Sequence, residues 1–407
     1  MKKFIKILCC FLAVISTFSF WTVYYYNTIL PNNIMIYDDE TVNFNTNIKI
    51  VSNKEESEEL VSNINKASDS YKSDLSLMGI VPIKSININK VKKRYVVLSG
   101  ENFGIKIFTK GVMVVGMSDV KGGVNPAKKA GMKIGDIILK VNNKSVNSNE
   151  ELSAIINNSG GYELVCRIKR NNKTFNITFK PIYSKDNASY KAGIWVRDSS
   201  AGLGTMTFYS LVNGAFAGLG HGIVDVDTGV LLPINSGEIV KTEILSITKS
   251  NYGSAGEICG AFTGEVEGDI INNAPCGLYG YLNSFDKQKE LIRISNRQDV
   301  KEGKARIYTT LDNNGPKYYN CEIEKVDYNN KTQKNLLIHI TDEKLISKTG
   351  GIVQGMSGSP IVQNGQLVGA LTNVFVNNPT RGYAVFSDEM YEKMTKVTEN
   401  STLNRVS

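Results

Sequence analysis

The distribution of apolar residues along the chain first marks its N-terminus. A mostly apolar, uncharged run from Ile7 to Tyr26 follows three lysines. This run is long enough to cross a bilayer, and its positive flank keeps the N-terminus in the cytoplasm. Its aromatic end is typical of a membrane interface, and no small-residue cleavage site follows it, so a retained anchor is favoured over a cleaved signal peptide. The pattern predicts an anchor over residues 1–26 and export of the rest of the chain.

The next stretch, residues 27–98, is polar and rich in Asn, Ser, Lys and Glu. One helix is predicted within it, from Glu55 to Leu75. The stretch has too few evenly spaced apolar residues for a core of its own. It is therefore predicted to be a spacer that holds the folded parts away from the membrane.

Alternating apolar strands begin near Ser99 and continue to Ile182. Between them, Pro126 favours the start of a short helix, Gly131 its end, and Gly135 a turn into a buried strand. Residues 127–142 resemble the corresponding stretch of bacterial PDZ domains. The resemblance implies a PDZ domain over residues 99–182, which takes an extended peptide beside one strand and its carboxylate at a loop. The residues expected at that loop are Phe103, Gly104 and Ile105.

Short β segments separated by glycines occupy residues 183–407 and favour a barrel. The predicted fold is mainly β: an anchor, a PDZ-like α/β domain and a β-barrel domain. The net charge of +8 is spread over lysines without a basic block, so nucleic-acid binding is not expected. The six cysteines have no metal-ligand spacing, and no metal, cofactor or disulfide framework is predicted.

The candidate nucleophile is Ser357, within a glycine-rich segment from Gly350 to Ile361. Glycines let the backbone approach a reacting carbonyl and let amides point at an oxyanion. Apolar residues on both sides of Asn364-Gly365 predict a strand, a tight type I′ turn and a second strand. The serine is therefore expected at the mouth of a chymotrypsin-like β-barrel serine protease domain, with the amides of Gly355 and Ser357 as the oxyanion hole.

A serine hydroxyl needs a base, and the base needs an acceptor that fixes its tautomer. Only two histidines are present. His221 lies between two glycines and suits a general base, whereas His339 lies in an apolar strand and is interpreted as structural. Asp269 and Asp342 are equally acceptable as the orienting acid on spacing alone.

Together these features resemble the SpoIVB peptidases of endospore-forming Firmicutes. The resemblance rests on Gly220-His221-Gly222, on the segment from Gly355 to Pro360 and on the preceding PDZ-like domain. It implies His221, Asp342 and Ser357 as the catalytic residues. It also implies a sporulation protease that acts between the forespore and mother-cell membranes. Such a protease cleaves itself and a membrane-bound regulator of an intramembrane protease, which leads to activation of a late sigma factor.

Two other functions compete with a serine endopeptidase. A non-catalytic docking protein would use the PDZ domain and the barrel only for binding. An esterase would use the same residues, but the chain lacks the nucleophile elbow in a βα context. Met356, where trypsin-like enzymes carry an aspartate before the nucleophile, excludes activation by a buried new N-terminal amine.

Overall fold

The computed structural model describes residues 2–37, 48–51, 70–120, 123–171 and 173–406. Within these residues the helices are α1 Lys2–Ile29, α2 Pro126–Lys129, α3 Asn149–Asn157, α4 Glu343–Thr349 and α5 Ser387–Val406. The strands of the N-terminal part are β1 Asn33–Ile36, β2 Ile48–Val51, β3 Ser70–Leu77, β4 Val81–Lys90 and β5 Tyr95–Leu98. The strands of the middle part are β6 Asn102–Met117, β7 Ile137–Val141, β8 Lys144–Ser145, β9 Leu164–Arg170, β10 Lys173–Phe179, β11 Ile182–Ser184, β12 Ser189–Lys191 and β13 Ile194–Tyr209.

The remaining strands lie in the C-terminal half. They are β14 Ala215–Gly218, β15 Ile234–Thr248, β16 Glu257–Ala274, β17 Gly277–Leu282, β18 Leu291–Ile294, β19 Gly303–Thr309, β20 Lys317–Val326, β21 Leu336–Ile340, β22 Pro360–Gln363, β23 Gln366–Phe375 and β24 Asn378–Phe386. Strands thus dominate the described part of the chain, and the mainly β prediction is confirmed.

The first helix, α1, contains a span from Lys3 to Ile29 that is long and apolar enough to cross a membrane. Its apolar side chains are exposed, including those of Phe11, Phe18 and Trp21. Exposed apolar surface on an N-terminal helix is what a membrane segment presents to lipid. The helix is consistent with the predicted anchor.

The expected spacer instead contains a sheet in the order β1-β4-β3-β2. The prediction of a segment without a core is wrong because β4 carries three isoleucines among polar residues and buries all three, Ile83, Ile86 and Ile88. Its apolar cluster comprises Ile34, Ile36, Ile48, Leu75, Ile83, Ile86 and Ile88. The predicted helix also fails over residues 70–75, which belong to β3, whereas residues 55–69 lie outside the described residues.

Within the described residues, two six-stranded barrels follow the N-terminal sheet. The first closes in the order β6-β13-β14-β17-β16-β15 and back to β6. The second closes in the order β19-β20-β21-β24-β23-β22 and back to β19. Each barrel surrounds its own cluster of buried apolar side chains. Ligand and active sites commonly lie where two such bodies meet.

The PDZ fold interrupts the first barrel rather than preceding it. Residues 102–109 of β6 are a barrel strand, paired with β13 over residues 102–108 and with β15 over residues 104–109. The chain then leaves the barrel and forms the PDZ sheet from the second half of β6 with β7, β8, β9 and β10, beside α2 and α3. It returns along β13, which pairs with β6 from Ile194 opposite Met117 to Thr205 opposite Asn102. One pair of strands therefore belongs to both folds.

Candidate functional site

A cleft of about 440 Å³ brings the predicted nucleophile and base together. Its lining residues are Ile105, Ser200, Ala201, Gly202, Leu203, Leu219, His221, Ile223, Ala255, Ile352, Val353, Gln354, Gly355, Ser357, Thr372, Asn373, Val374 and Val376. Residues of both barrels contribute to it. Apart from His221, none of the lining side chains is titratable, so the cleft is an apolar site with a few polar groups, as expected of a binding pocket.

Ser357 lies in the loop that joins α4 to β22. Gly355 and Gly358 on either side have φ values of +96° and +98°, which only glycine adopts readily. A Cβ on Gly358 would lie 1.9 Å from the carbonyl oxygen of Thr205, so the loop can lie against β13 only with a bare backbone there. The amide of Thr205 donates to the carbonyl of Ser357 at 2.9 Å, and its hydroxyl donates to the carbonyl of Gly355 at 2.7 Å. The nucleophile loop is thereby fixed to the first barrel.

The hydroxyl of Ser357 donates to the carbonyl oxygen of Thr372 at 2.7 Å. Ser359, two residues on, is fully buried, and its hydroxyl contacts the hydroxyl of Thr309 and the carbonyl of Met356. Ser357 therefore faces the cleft, whereas Ser359 stabilises the loop from inside the second barrel.

His221 follows β14 in a turn that requires its two flanking glycines. A Cβ on Gly220 would lie 3.0 Å from the side chain of Thr372, and one on Gly222 would lie 2.7 Å from the carbonyl oxygen of Ala274. The Nδ1 of His221 lies 3.0 Å from the carbonyl oxygen of Gly222. A carbonyl can only accept, so Nδ1 carries the proton in this contact and Nε2 is left as an acceptor. Burial lowers the pKa of the imidazole, which favours the neutral form that a general base needs.

The loop before Ser357 also supplies candidate oxyanion donors. Within the part of the chain that the structure describes, the N–H groups of Gly355 and Ser357 make no hydrogen bond. A Cβ on Gly355 would lie 2.9 Å from the side chain of Leu203, which explains the glycine there. Free amides beside a nucleophile are what an oxyanion hole requires.

Neither candidate acid lies among the lining residues of the cleft. Asp342 caps helix α4: one carboxylate oxygen accepts from the amides of Lys344 and Leu345, and the other accepts from the amide of Asn320 at 3.0 Å. Asp269 is an exposed residue of β16, opposite Glu238 of β15. The acceptor that the structure gives to Nδ1 of His221 is the carbonyl of Gly222.

His339 is a strand residue, as interpreted from the sequence. It lies in β21, and its Nδ1 is 3.2 Å from a carboxylate oxygen of Glu324. The same carboxylate binds Arg381. This histidine belongs to an ion-pair cluster outside the cleft.

The structure does not place Phe103, Gly104 and Ile105 at a peptide groove. They lie within β6, where the backbone is paired on both sides, and Phe103 and Ile105 are buried in the core of the first barrel. An extended peptide needs a free strand edge, which this position lacks. Ile105 lines the catalytic cleft instead.

A second groove, of about 670 Å³, lies between α3 and the start of β13. Its lining includes Leu152 and Ile156 of the helix, Ile194 and Val196 of the strand and Gly193 just before it. Residues 194–197 of β13 pair with β6 and, among the described residues, with no strand on their other side. The sequence did not reveal this edge, because the pattern from Gly193 to Val196 predicts the first strand of the barrel.

The two barrels, the cleft with its serine and histidine and the inserted domain define a serine peptidase that carries a PDZ domain. The profile of the SpoIVB peptidase S55 family matches residues 188–391, and the PDZ domain profile matches residues 88–180. Because the SpoIVB peptidase profile matches half of the residues of this chain, the chain belongs to the SpoIVB peptidase family. The sequence-based prediction of the family, the enzyme class and the PDZ domain is confirmed.

More distant similarities accompany this match. The chain is 29% identical over 116 residues to a protein of Clostridium acetobutylicum that is named as a zinc metalloprotease, covering 26% of this chain and 34% of that protein. The chain thus spans about a third of that relative's length. Among solved structures, the HtrA-type protease AlgW with a decapeptide has 12% identity and a TM-score of 0.30, over 50% of this chain and 55% of that one. The inactive form of the Rv3671c protease has 11% identity and a TM-score of 0.29, over 48% and 84%.

Proposed function

We propose that Ser357 and His221 hydrolyse peptide bonds in the cleft between the barrels. The observation that carries this proposal is the convergence of a glycine-flanked serine, a neutral imidazole and two free amides on one cleft. The Ser357 hydroxyl turns from Thr372 to Nε2 of His221, which takes its proton as Oγ attacks the substrate carbonyl. His221 then passes this proton to the leaving amine. In the second half of the reaction, His221 takes a proton from water as the water attacks the acyl-enzyme, and the proton returns to the Ser357 oxygen as the acyl group leaves.

The tetrahedral oxyanion binds the amides of Gly355 and Ser357. These amides are rigid because the nucleophile loop is bonded to Thr205, so they need no rearrangement when charge develops. One such donor is worth about 10²–10³-fold in rate. The Gly222 carbonyl holds Nδ1–H and so fixes the tautomer that leaves Nε2 free.

For Asp342 we propose the capping role that its contacts describe, in preference to the catalytic role implied by the family resemblance. Helix α4 leads directly to the glycines before Ser357. A fixed helix start therefore supports the nucleophile loop without any contact between Asp342 and His221.

The biological role that we propose follows the family. α1 anchors the chain, and the peptidase acts on the exported side, between the forespore and mother-cell membranes of a sporulating cell. Its substrates are a membrane-bound regulator of an intramembrane protease and its own N-terminal region. Cleavage of the regulator would lead to activation of a late sigma factor.

The PDZ domain is proposed to take an extended peptide along the free edge of β13. Leu152 and Ile156 of α3 provide an apolar wall on the opposite side of the groove. This arrangement provides the strand edge and side-chain pocket that β-augmentation needs.

Reaction of the full-length protein with a fluorophosphonate, which modifies activated serines, tests the catalytic proposal. We expect labelling of the intact chain, loss of labelling in Ser357→Ala and in His221→Gln, and retention in Ser359→Ala. Self-cleavage measured on the same samples should follow the labelling. An unlabelled wild-type protein would favour the non-catalytic docking function.

A further inference from the structure

The segment that follows the catalytic histidine rests on the PDZ domain. We call residues 222–233 the histidine loop. Ile223 lines the catalytic cleft and also packs with Met113, Ile137 and Leu232, of which Met113 and Ile137 are PDZ residues. Met113 is fully buried in this contact, and Leu232 is only 2% exposed. The wall of the cleft beside His221 is therefore supported by the PDZ domain.

An ion pair joins the same loop to β13. The guanidinium of Arg197 binds the carboxylate of Asp225, whose side chain is completely buried, and reaches Asp227 at 2.8 Å. Asp225 also accepts hydrogen bonds from the amides of Asp227 and Thr228 and from the Thr228 hydroxyl. Asp225 thus shapes the turn of the loop, and Arg197 neutralises a charge that would be costly to bury alone.

Arg197 lies on β13 between the residues that line the PDZ groove and those that line the catalytic cleft. Ile194, Trp195 and Val196, immediately before it, line the PDZ groove. Ser200 to Leu203, shortly after it, line the catalytic cleft. Arg197 itself pairs with Met113 across the ladder to β6. The strand that forms the peptide groove therefore holds the histidine loop through one side chain.

We propose that Arg197 and Asp225 are positioning residues for His221, and that the PDZ domain is the support against which they hold the histidine loop. The pair acts through the loop and touches neither Ser357 nor substrate. The inference rests on the proposed function, in which His221 is the general base. It explains why the PDZ domain is inserted into the first barrel: the insertion places PDZ residues directly beneath the loop.

The test uses the full-length protein in detergent micelles with the variants Asp225→Asn, Arg197→Gln and Arg197→Lys. Asp225→Asn keeps an oxygen for the turn amides and removes the charge. The matched control is Asp388→Asn. Asp388 is a fully buried aspartate at the start of α5, and the substitution breaks its ion pair with Arg297. Two quantities are measured between pH 5 and 9: the rate of fluorophosphonate labelling, and the NMR titration of the histidine rings. The chain has only two histidines, so His339→Gln assigns the signals.

We expect Asp225→Asn and Arg197→Gln to label at least tenfold more slowly than wild type, while Arg197→Lys retains most of the rate. The His221 ring should titrate at higher pH in the two slow variants, because a loosened loop gives the ring more water. Apart from His221, the cleft lining contributes no charged group to this titration. The charged groups of the histidine loop are Asp225 and Asp227, and Arg197 of β13 pairs with both. Asp388→Asn should change neither quantity.

The positioning role is overturned if the His221 titration is unchanged in both Asp225→Asn and Arg197→Gln, or if both variants are labelled within twofold of the wild-type rate. The NMR measurement does not depend on catalysis. If the wild-type protein is not labelled, the proposed function fails, and the ring titration alone decides whether Arg197 and Asp225 position the histidine.

Discussion

The hydroxyl of Ser357 donates to the carbonyl oxygen of Thr372 at 2.7 Å, in the cleft that His221 also lines. This contact defines a resting orientation in which the nucleophile is hydrogen-bonded to backbone. In the proposed mechanism the hydroxyl exchanges that acceptor for the imidazole by rotation of the Ser357 side chain, while the backbone around Ser357 stays fixed to β13.

Replacing the two neighbouring serines separates the nucleophile from its structural neighbour. Ser357→Ala should reduce peptide cleavage by about 10⁴-fold or more, because the attacking oxygen is lost. Ser359→Ala should keep near wild-type cleavage below its melting temperature, yet lose about 1–3 kcal/mol of stability, because it leaves buried polar partners unsatisfied. Cleavage rates and thermal unfolding measured on both variants check this. The reverse pattern would assign Ser359 as the nucleophile.

Asparagine at position 342 distinguishes a cap from a catalytic acid. Asparagine keeps an oxygen for the cap amides of Lys344 and Leu345 and loses only the one that accepts from Asn320. Asp342→Asn should therefore cleave within about threefold of wild type, whereas Asp342→Ala should lose about 1 kcal/mol of stability. A triad aspartate replaced by asparagine instead costs about 10⁴-fold in rate. Measurements of kcat and of unfolding on the two variants decide.

The control for this experiment is Asp269→Asn, an exposed strand residue that should be silent in both assays. A loss of about 10⁴-fold in Asp342→Asn with an unchanged melting temperature would contradict the capping role. It would restore the assignment implied by the family resemblance and require the acid to approach His221 in another conformation.

Local patterns predicted local structure well. Asn364 and Gly365 both have positive φ and join β22 to β23, as the type I′ turn requires. The helix begins at Pro126, and Gly131 follows its end in a left-handed conformation. Each of these features depends on residues a few positions apart. The glycines around Ser357 and His221 were informative for the same reason, because they mark positions where a Cβ has no room.

Pairings between distant segments were not predictable in this way. β6 pairs with β13 across an intervening PDZ fold, and nothing in residues 102–109 distinguishes a barrel strand from a PDZ strand. Phe103 and Ile105 were therefore assigned to the wrong fold. Asp342 illustrates the same limit, since its sequence position before the nucleophile suits a cap and a catalytic acid equally.

The pH dependence of cleavage follows from the burial of His221. Burial lowers the pKa of this imidazole, and the general base must be neutral. We therefore expect the acid limb of kcat/KM to have its midpoint below about pH 6.5, the ordinary histidine value. A pH–rate profile with an uncharged peptide measures it. A midpoint above that value would show that the ring is charged more easily than its burial implies.

The same shift affects stability with a definite sign. The unfolded chain binds a proton at His221 more readily than the folded chain does, so this contribution to stability is complete above about pH 6.5 and is lost as the pH falls below it. His221→Gln should flatten that part of the curve of unfolding free energy against pH. His339→Gln, which changes the half-buried ion-pair cluster outside the cleft, serves as the comparison. Identical slopes for wild type and His221→Gln in this range would contradict the shift.

The lining of the cleft predicts which side chains the peptidase accepts next to the cleaved bond. Ile352, Val353 and Val374 line the same cleft as Ser357 and present apolar surface, and apart from His221 no acidic or basic side chain is among the lining residues. A charged substrate side chain entering this wall would lose water without gaining a partner, which costs several kcal/mol. We therefore expect cleavage after aliphatic residues to be at least about tenfold faster than after Lys or Asp, in a peptide set that varies only at this position.

Val374→Asp should raise the relative rate after Lys by supplying the missing charge. Val212→Asp, at a residue that is 93% exposed and is not among the cleft-lining residues, should leave the preference unchanged. Equal rates after Leu and Lys in the wild-type protein would show that the substrate side chain does not enter this apolar wall.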